Sequence, residues 1–178
     1  MGKLNAKVAI VTGAASGIGR DVTYRFLQED CTVIATDINS SALDALQQEA
    51  PQKGTRLHTI LCDITKEREL ETLVGFAIKE HQHIDILVNN AGVMDNFEAI
   101  ADVSNSQWDR IMNVNLRGPF MLMRLLIPHF LHHKYGNIIN ISSIGGLQGG
   151  RAGAAYTASK FALNGLTKNT GYLYAEQG

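Results

Sequence analysis

The chain has 178 residues, of which 45% are hydrophobic and 19% charged, with a formal net charge of -1. This is the balance of an ordinary globular protein with room for one sizeable core, and it excludes an electrostatic case for nucleic acid or an anionic membrane surface. No apolar run approaches a membrane span, the first six residues lack a signal-peptide core, and the myristoylation pattern suggested by Gly2 fails at Ala6.

Lys7 to Thr12 is a short β-branched apolar run that predicts a strand buried on both faces. Gly13-Ala14-Ala15-Ser16-Gly17-Ile18-Gly19 follows, and Ile18, Val22 and Phe26 at spacing four predict a helix. Glycines let such a strand-to-helix turn approach a ligand closely, and free amides at a helix start favour a phosphate. Cys31 to Thr36 is the second predicted strand, ending at Asp37. An acidic side chain there accepts the ribose hydroxyls of an adenosine and repels a 2′-phosphate. Its neighbours Thr36 and Ile38 are not basic, which favours NAD over NADP. The plainer alternative is a helix-start residue before Asn39 and Ser40. Cys31 and Cys62 lie in apolar surroundings without metal-ligand spacing, and they read as buried, reduced thiols of a cytoplasmic protein.

Ser41 and Asp44 form a capping-box pattern for a helix to about Ala50, with Pro51 just beyond. Arg56 to Leu61 is the third predicted strand. Asp63, next to Ile64, either reaches an adenine amino group or only caps a turn. A helix follows, with Leu70, Leu73, Val74, Ala77 and Ile78 on one stripe. Ile84 to Val88 is the fourth strand. It runs into Asn89-Asn90-Ala91-Gly92, where two amides suit bonding between strands and a glycine suits a close ligand. Ser106 and Asp109 are a second capping box, opening a long apolar helix to about Leu131 that contains Asn115 and is broken near Pro119. Asn115 needs a partner if buried. His129, His132 and His133 end that helix without an evident third metal ligand, so no metal site is expected.

Gly136 to Ser142 is the fifth strand, followed by Ser143 and a glycine-rich connection. The last helix carries Tyr156 and Lys160 four residues apart, and therefore on one face. An ammonium beside a phenol favours the phenolate, which can exchange a proton with an alcohol or carbonyl. Strands alternating with helices predict an α/β fold, a doubly wound, Rossmann-like parallel sheet of at least five strands with helices on both faces, spanning residues 1–178 as one dinucleotide-binding domain. Gly13, Asp37, Asn89 and Ser143 then all fall at the carboxyl ends of strands, where ligands of such sheets bind.

In these motifs the chain resembles the short-chain dehydrogenase/reductase (SDR) family. The matches are Thr12-Gly13-x-x-x-Gly17-Ile18-Gly19, Asn89-Asn90-Ala91-Gly92, Asn115, Ser143 and Tyr156-x-x-x-Lys160, in the family's order over essentially the whole chain. The resemblance implies that Tyr156 is the general acid/base, that Lys160 tunes it and binds the nicotinamide ribose, and that Ser143 holds the substrate oxygen. It implies that Asn115 holds a water in a proton relay. Gly13, Ser16, Gly17, Ile18 and Gly19 would line the pyrophosphate turn, Asp37 would meet the adenosine ribose, and Asp63 and Ile64 the adenine. Asn90, Ala91 and Gly92 would pass beside the cofactor. It further implies NAD-linked interconversion of a secondary alcohol and a carbonyl, by a homodimer or homotetramer. Val93, Met94, Leu147 and Gln148 suggest a partly apolar substrate.

Members of that family run to roughly 250 residues, which leads to the expectation that this chain lacks a C-terminal part and that its fifth strand, apolar on both faces, is a sheet edge. The alternative function is therefore an NAD-binding module without a complete substrate pocket. A sugar-nucleotide epimerase shares the Tyr-x-x-x-Lys pair, but its glycine spacing differs.

Overall fold

The computed structural model describes residues 2–50 and 56–178. Its apolar runs form five parallel strands: β1 (Val8–Thr12), β2 (Thr32–Asp37), β3 (Leu57–Leu61), β4 (Ile86–Asn89) and β5 (Asn137–Asn140). The helices are α1 (Gly17–Gln28), α2 (Ser40–Glu49), α3 (Glu67–His81), α4 (Asn105–Met112), α5 (Gly118–His133) and α6 (Ala154–Tyr174). The strand order is β3-β2-β1-β4-β5. The chain winds outward from β1 in one direction, returns, and winds outward from β4 in the other. The reversal lies between β1 and β4, which pair directly through Ala9–Ile86, Ile10–Leu87 and Val11–Val88. At this point the loops leaving two adjacent strands diverge and open a crevice.

Alternation along β1 assigns its side chains to two cores. Val8 and Ile10 join a cluster with Leu70, Leu73, Val74 and Ala77 of α3 and Met121, Leu122 and Leu126 of α5. Ala9 and Val11 join Leu27 of α1 and Leu43 and Leu46 of α2 on the opposite face. The central strands are apolar through their middles because both faces are covered, and Thr12, Thr36, Asp37 and Asn89 fall toward their carboxyl ends. No helix among the described residues is long and apolar enough to cross a membrane.

Several boundaries differ from expectation. The buried stripe of α1 is Gly19, Thr23 and Leu27, one residue on from the predicted one, and Ile18 is 59% exposed at the crevice instead of in the core. Helix α2 starts before the Ser41 box: Asn39 is the cap, its side chain accepting from the Ala42 amide at 3.1 Å, while Ser41 donates to the same oxygen. Pro51 lies outside the described residues. Ser104, not Ser106, caps α4 through the Gln107 amide.

The expected long helix is interrupted ahead of Pro119. Residues Asn113–Arg117 form a π-turn, in which the Gly118 amide reaches back five residues to the Asn113 carbonyl. Pro119 has no N–H, so the Asn115 carbonyl is denied its ordinary α-helical donor. Gly118 packs closely against Ile64, since a Cβ there would sit 2.7 Å from its Cδ1 and 3.2 Å from its carbonyl oxygen. Strand β5 lies at the sheet edge, as expected, with Ile139 43% exposed.

Candidate active site

The first loop of the crevice leaves β1 at Gly13, whose φ of +60° is the left-handed conformation that favours glycine. Both Gly13 and Gly19 are also fixed by packing. A Cβ on Gly13 would lie 2.8 Å from Ala91 Cα, and one on Gly19 would lie 2.1 Å from the Gly13 carbonyl oxygen. Helix α1 therefore begins pressed against the turn. Its cap position, Ser16, makes no side-chain capping bond and its first turn holds no acidic residue, so its leading amides have no side-chain partner from the cap, and Ser16, Gly17 and Ile18 border the crevice.

Asn90 ties the two sides of the switch point together. Its Nδ2 donates to the carbonyls of Thr12 (3.0 Å) and Gly13 (3.1 Å), and Thr12 Oγ1 accepts from the Asn90 and Ala91 amides, both at 3.1 Å. Asn89 bonds the Asn140 side chain at 2.8 Å. The predicted use of the two amides between strands is present in both. The Asp37 carboxylate accepts from the Ala15 amide through one oxygen and from the Asn39 amide through the other, each at 3.1 Å. Asp63 has its Oδ1 engaged by the Thr65 amide and hydroxyl, so the turn-capping alternative describes that oxygen.

These groups border one cleft of about 400 Å³, lined by Gly13, Ser16, Gly17, Ile18, Asp37, Asp63, Ile64, Asn90, Ala91 and Gly92, with Ile38, Cys62, Val93 and Val114. Of the cofactor residues singled out in the sequence, Gly19 is off that lining, packed against Gly13, and Tyr156 and Lys160 stand outside it as well. The tight turn at Gly13 and the start of α1, which has no side-chain cap of its own, suit a diphosphate, and the anchored carboxylate at Asp37 suits a diol.

Past Gly92 the cleft meets four polar side chains linked by close neighbours. Asn115 is wholly buried on the π-turn. Its Oδ1 accepts from the Val93 amide at 2.8 Å, and its Nδ2 donates to the Val93 carbonyl at 2.9 Å and to Ser159 Oγ at 3.2 Å. A Cβ on Gly92 would lie 3.4 Å from Asn115 Oδ1 and 3.7 Å from Lys160 Nζ. The Lys160 ammonium donates to the Ile141 carbonyl at 2.8 Å. Burial pushes its pKa down. It lies 5.6 Å from the centre of the Tyr156 ring, one helical turn back. Ser143 Oγ and the Tyr156 ring close the chain, both within 3.6 Å of the position a Cβ on Gly145 would take.

Sequence reasoning missed two residues here. Ser159 donates to the Tyr156 carbonyl at 2.7 Å while accepting from Asn115. Its spacing of three from Tyr156 on one helix was the available signal. Asp95 accepts from the Gly153 and Tyr156 amides, across 58 and 61 residues, and no local pattern announces that. Away from the crevice, His129 Nε2 accepts from the Ile84 amide at 3.1 Å, and among the described residues no three His, Cys, Asp or Glu side chains gather as a metal site. Cys31 and Cys62 are free and buried.

The strand order and the crevice at its reversal define a doubly wound α/β protein of the Rossmann type. The chain belongs to the short chain dehydrogenase family, whose pattern it matches over residues 7–178, and it is an oxidoreductase of that NAD(P)-using family. It is 42% identical to 3beta-hydroxysteroid dehydrogenase 2 of Eggerthella lenta over 176 residues, covering 98% of this chain and 68% of that one. It is 41% identical to the short-chain dehydrogenase/reductase olcF of Penicillium canescens, covering 98% and 66%. The chain thus spans about two thirds of the length of these relatives. NAD+-bound xylitol dehydrogenase superposes with a TM-score of 0.93 at 30% identity, covering 99% of this chain and 68% of that one. A metagenomic short-chain oxidoreductase in complex with NADP gives 0.92 at 33%, covering 98% and 79%.

Proposed function

We propose that the 178 residues form one NAD(H)-binding domain of an oxidoreductase that interconverts a secondary alcohol and a carbonyl, with Tyr156 as general acid/base. The observation that carries this reading is the grouping of Asn115, Lys160, Tyr156 and Ser143 beyond Gly92, with the ammonium 5.6 Å from the centre of the phenol ring. NAD, when bound, supplies the hydride-accepting nicotinamide. The protein has the remaining work, moving one proton and stabilising charge on the substrate oxygen. Ser143 orients that oxygen. Tyr156 takes its proton in oxidation and returns it in reduction. Lys160, held by Ile141, keeps positive charge beside the phenol, and Asn115 links the region to a proton relay. Asp37, anchored through both oxygens, favours an adenosine ribose with free hydroxyls, so NAD is preferred over NADP.

Tyr156→Phe should abolish turnover and leave NADH affinity within about twofold, a role split that fails if NADH titration shows binding lost. NADH should bind at least about tenfold more tightly than NADPH, and Asp37→Ala should erase that preference. A panel of alcohols including a 3β-hydroxysteroid and xylitol, prompted by the relatives' names, tests substrate class, and Val93, Met94, Leu147 and Gln148 favour its apolar members. We further propose a homodimer or homotetramer assembled through the apolar face where Met112, Leu116 and Phe120 meet Ala162 and Leu166. Light scattering after size exclusion reads this directly.

A further inference from the structure

We propose that Asp95 is the positioning residue for Tyr156: one buried carboxylate, presented by the loop after β4, caps the helix that carries the phenol and fixes where that phenol stands. This rests on the reading of Tyr156 as the acid/base. Helix α6 has Gly153 at its cap position and therefore no capping side chain of its own. Asp95 performs both halves of a capping box from elsewhere in the chain. Its Oδ2 accepts from the Tyr156 amide at 2.9 Å, the bond a cap side chain ordinarily makes to the third helical residue, and its Oδ1 accepts from the Gly153 amide at 2.9 Å. The same Oδ1 takes the Phe97 amide at 3.2 Å. The Glu98 carbonyl accepts from Ala154 at 2.9 Å, so residues 95–98 satisfy three of the first four amides of α6, counting its cap.

The attachment leaves little slack. Asp95 is only 6% exposed, and a Cβ on Gly153 would lie 2.4 Å from its Oδ2. Two residues before Asp95, Val93 is clamped by Asn115, which also bonds Ser159, and Ser159 bonds the Tyr156 carbonyl. Tyr156 is thus held through both its N–H and its C=O by side chains that converge on one loop. The backbone of that residue is thereby tied to the loop that also carries Gly92, whose surface faces the Lys160 ammonium. A 1 Å displacement of a reacting group can cost about a hundredfold in rate, so the cap is placed to govern catalysis as well as stability.

The test compares Asp95→Asn with Asp95→Ala. Asparagine keeps one acceptor oxygen and loses the charge, whereas alanine loses both. The ionisation of Tyr156 is followed by NMR of 13Cζ-labelled tyrosine, with the Tyr156 signal assigned by its loss in Tyr156→Phe. This readout needs no substrate and survives failure of the oxidoreductase reading. The expected result is a graded displacement of the Tyr156 titration, larger in Asp95→Ala than in Asp95→Asn, with NADH affinity changed less than about threefold. In the alcohol-oxidation assay kcat should fall in the same order, by about 10–100-fold in Asp95→Ala. Equal displacement in the two variants would assign the effect to charge and overturn positioning. An unchanged titration in a variant of lowered thermal midpoint would reduce Asp95 to a structural cap and overturn it equally. If Asp95→Ala does not fold, Asp95→Asn alone decides, since an unshifted Tyr156 signal there contradicts the proposal. A displaced titration without turnover in the parent protein would sink the enzymatic reading and leave the positioning intact.

Discussion

Replacing Asn115 by alanine removes three hydrogen bonds at once from a wholly buried position, two to the backbone of Val93 and one to Ser159. Each buried group stripped of its partner costs about 1–3 kcal/mol. Val93 is half-buried, so water can reach part of its backbone, and Ser159 keeps its bond to the Tyr156 carbonyl. The lower end of the range therefore applies, giving a total of about 3 kcal/mol. With a urea dependence of about 1–3 kcal/mol per molar, the unfolding midpoint should move down by roughly 1–3 M. The thermal midpoint should drop by about 6–12 °C. Asn115→Asp is the sharper companion. It keeps the acceptor that serves the Val93 amide and turns the donor facing the Val93 carbonyl into a second acceptor, so its defect should shrink in acid, where the carboxyl regains a proton. A loss below about 1 kcal/mol in Asn115→Ala, or an Asn115→Asp defect independent of pH, would refute the account of Asn115 as the fastener of the β4 loop.

Gly19→Ala would force a Cβ to 2.1 Å from the Gly13 carbonyl oxygen and should cost about 1–3 kcal/mol together with NADH binding. Gly75→Ala, on the exposed side of α3 with nothing near its Cβ, should stabilise by about 0.5–1 kcal/mol. Paired melting curves read both. Burial holds the pKa values of His81 and His129 down, with His133 and His132 adding to the effect at His129. The unfolded chain then binds more protons than the folded one below its own histidine pKa of about 6.5. Stability should be full above that pH and fall as pH drops through the depressed folded values. His129→Gln should flatten the slope of midpoint against pH. Desolvation pushes the Cys31 and Cys62 thiols up to about 12 and about 11, so neither should react with a disulfide reagent at pH 8 until denaturant is added.

The fold was legible because its signals are local. A doubly covered strand is apolar through its middle, and β1, β2 and β4 are, with polar residues gathered toward their carboxyl ends. The crevice was legible because glycine turns and strand ends recur in fixed places relative to those strands. Element starts were less so, because several cap residues compete within a few positions: Asn39 caps α2 ahead of the Ser41–Asp44 pattern, and Ser104, itself at capping-box spacing from Gln107, caps α4 ahead of Ser106. The break before Pro119 was readable from that proline, but its π geometry was not. That geometry answers to Asn115 seeking Val93, a partner 22 residues back. Asp95 was invisible for the same reason at greater range. Its neighbours in sequence suggest a loop carboxylate, and only the folded chain brings it to a helix whose own cap residue is a glycine.

The π-turn between α4 and α5 also constrains how this segment can change in length. A turn closed five residues back holds one residue more than a turn closed four back. Deleting one of residues 113–117 would let the segment close as ordinary helix with its flanks near their present phase but without the turn that presents Asn115, whereas inserting one more residue would rotate everything on one side by about 100° relative to the other. Asn115, or the apolar face of α5, would then point the wrong way. Chimeras that exchange material across this junction should therefore tolerate substitutions far better than a change of count, whereas the irregular stretch before Ser104 can absorb insertions without altering the phase of either helix.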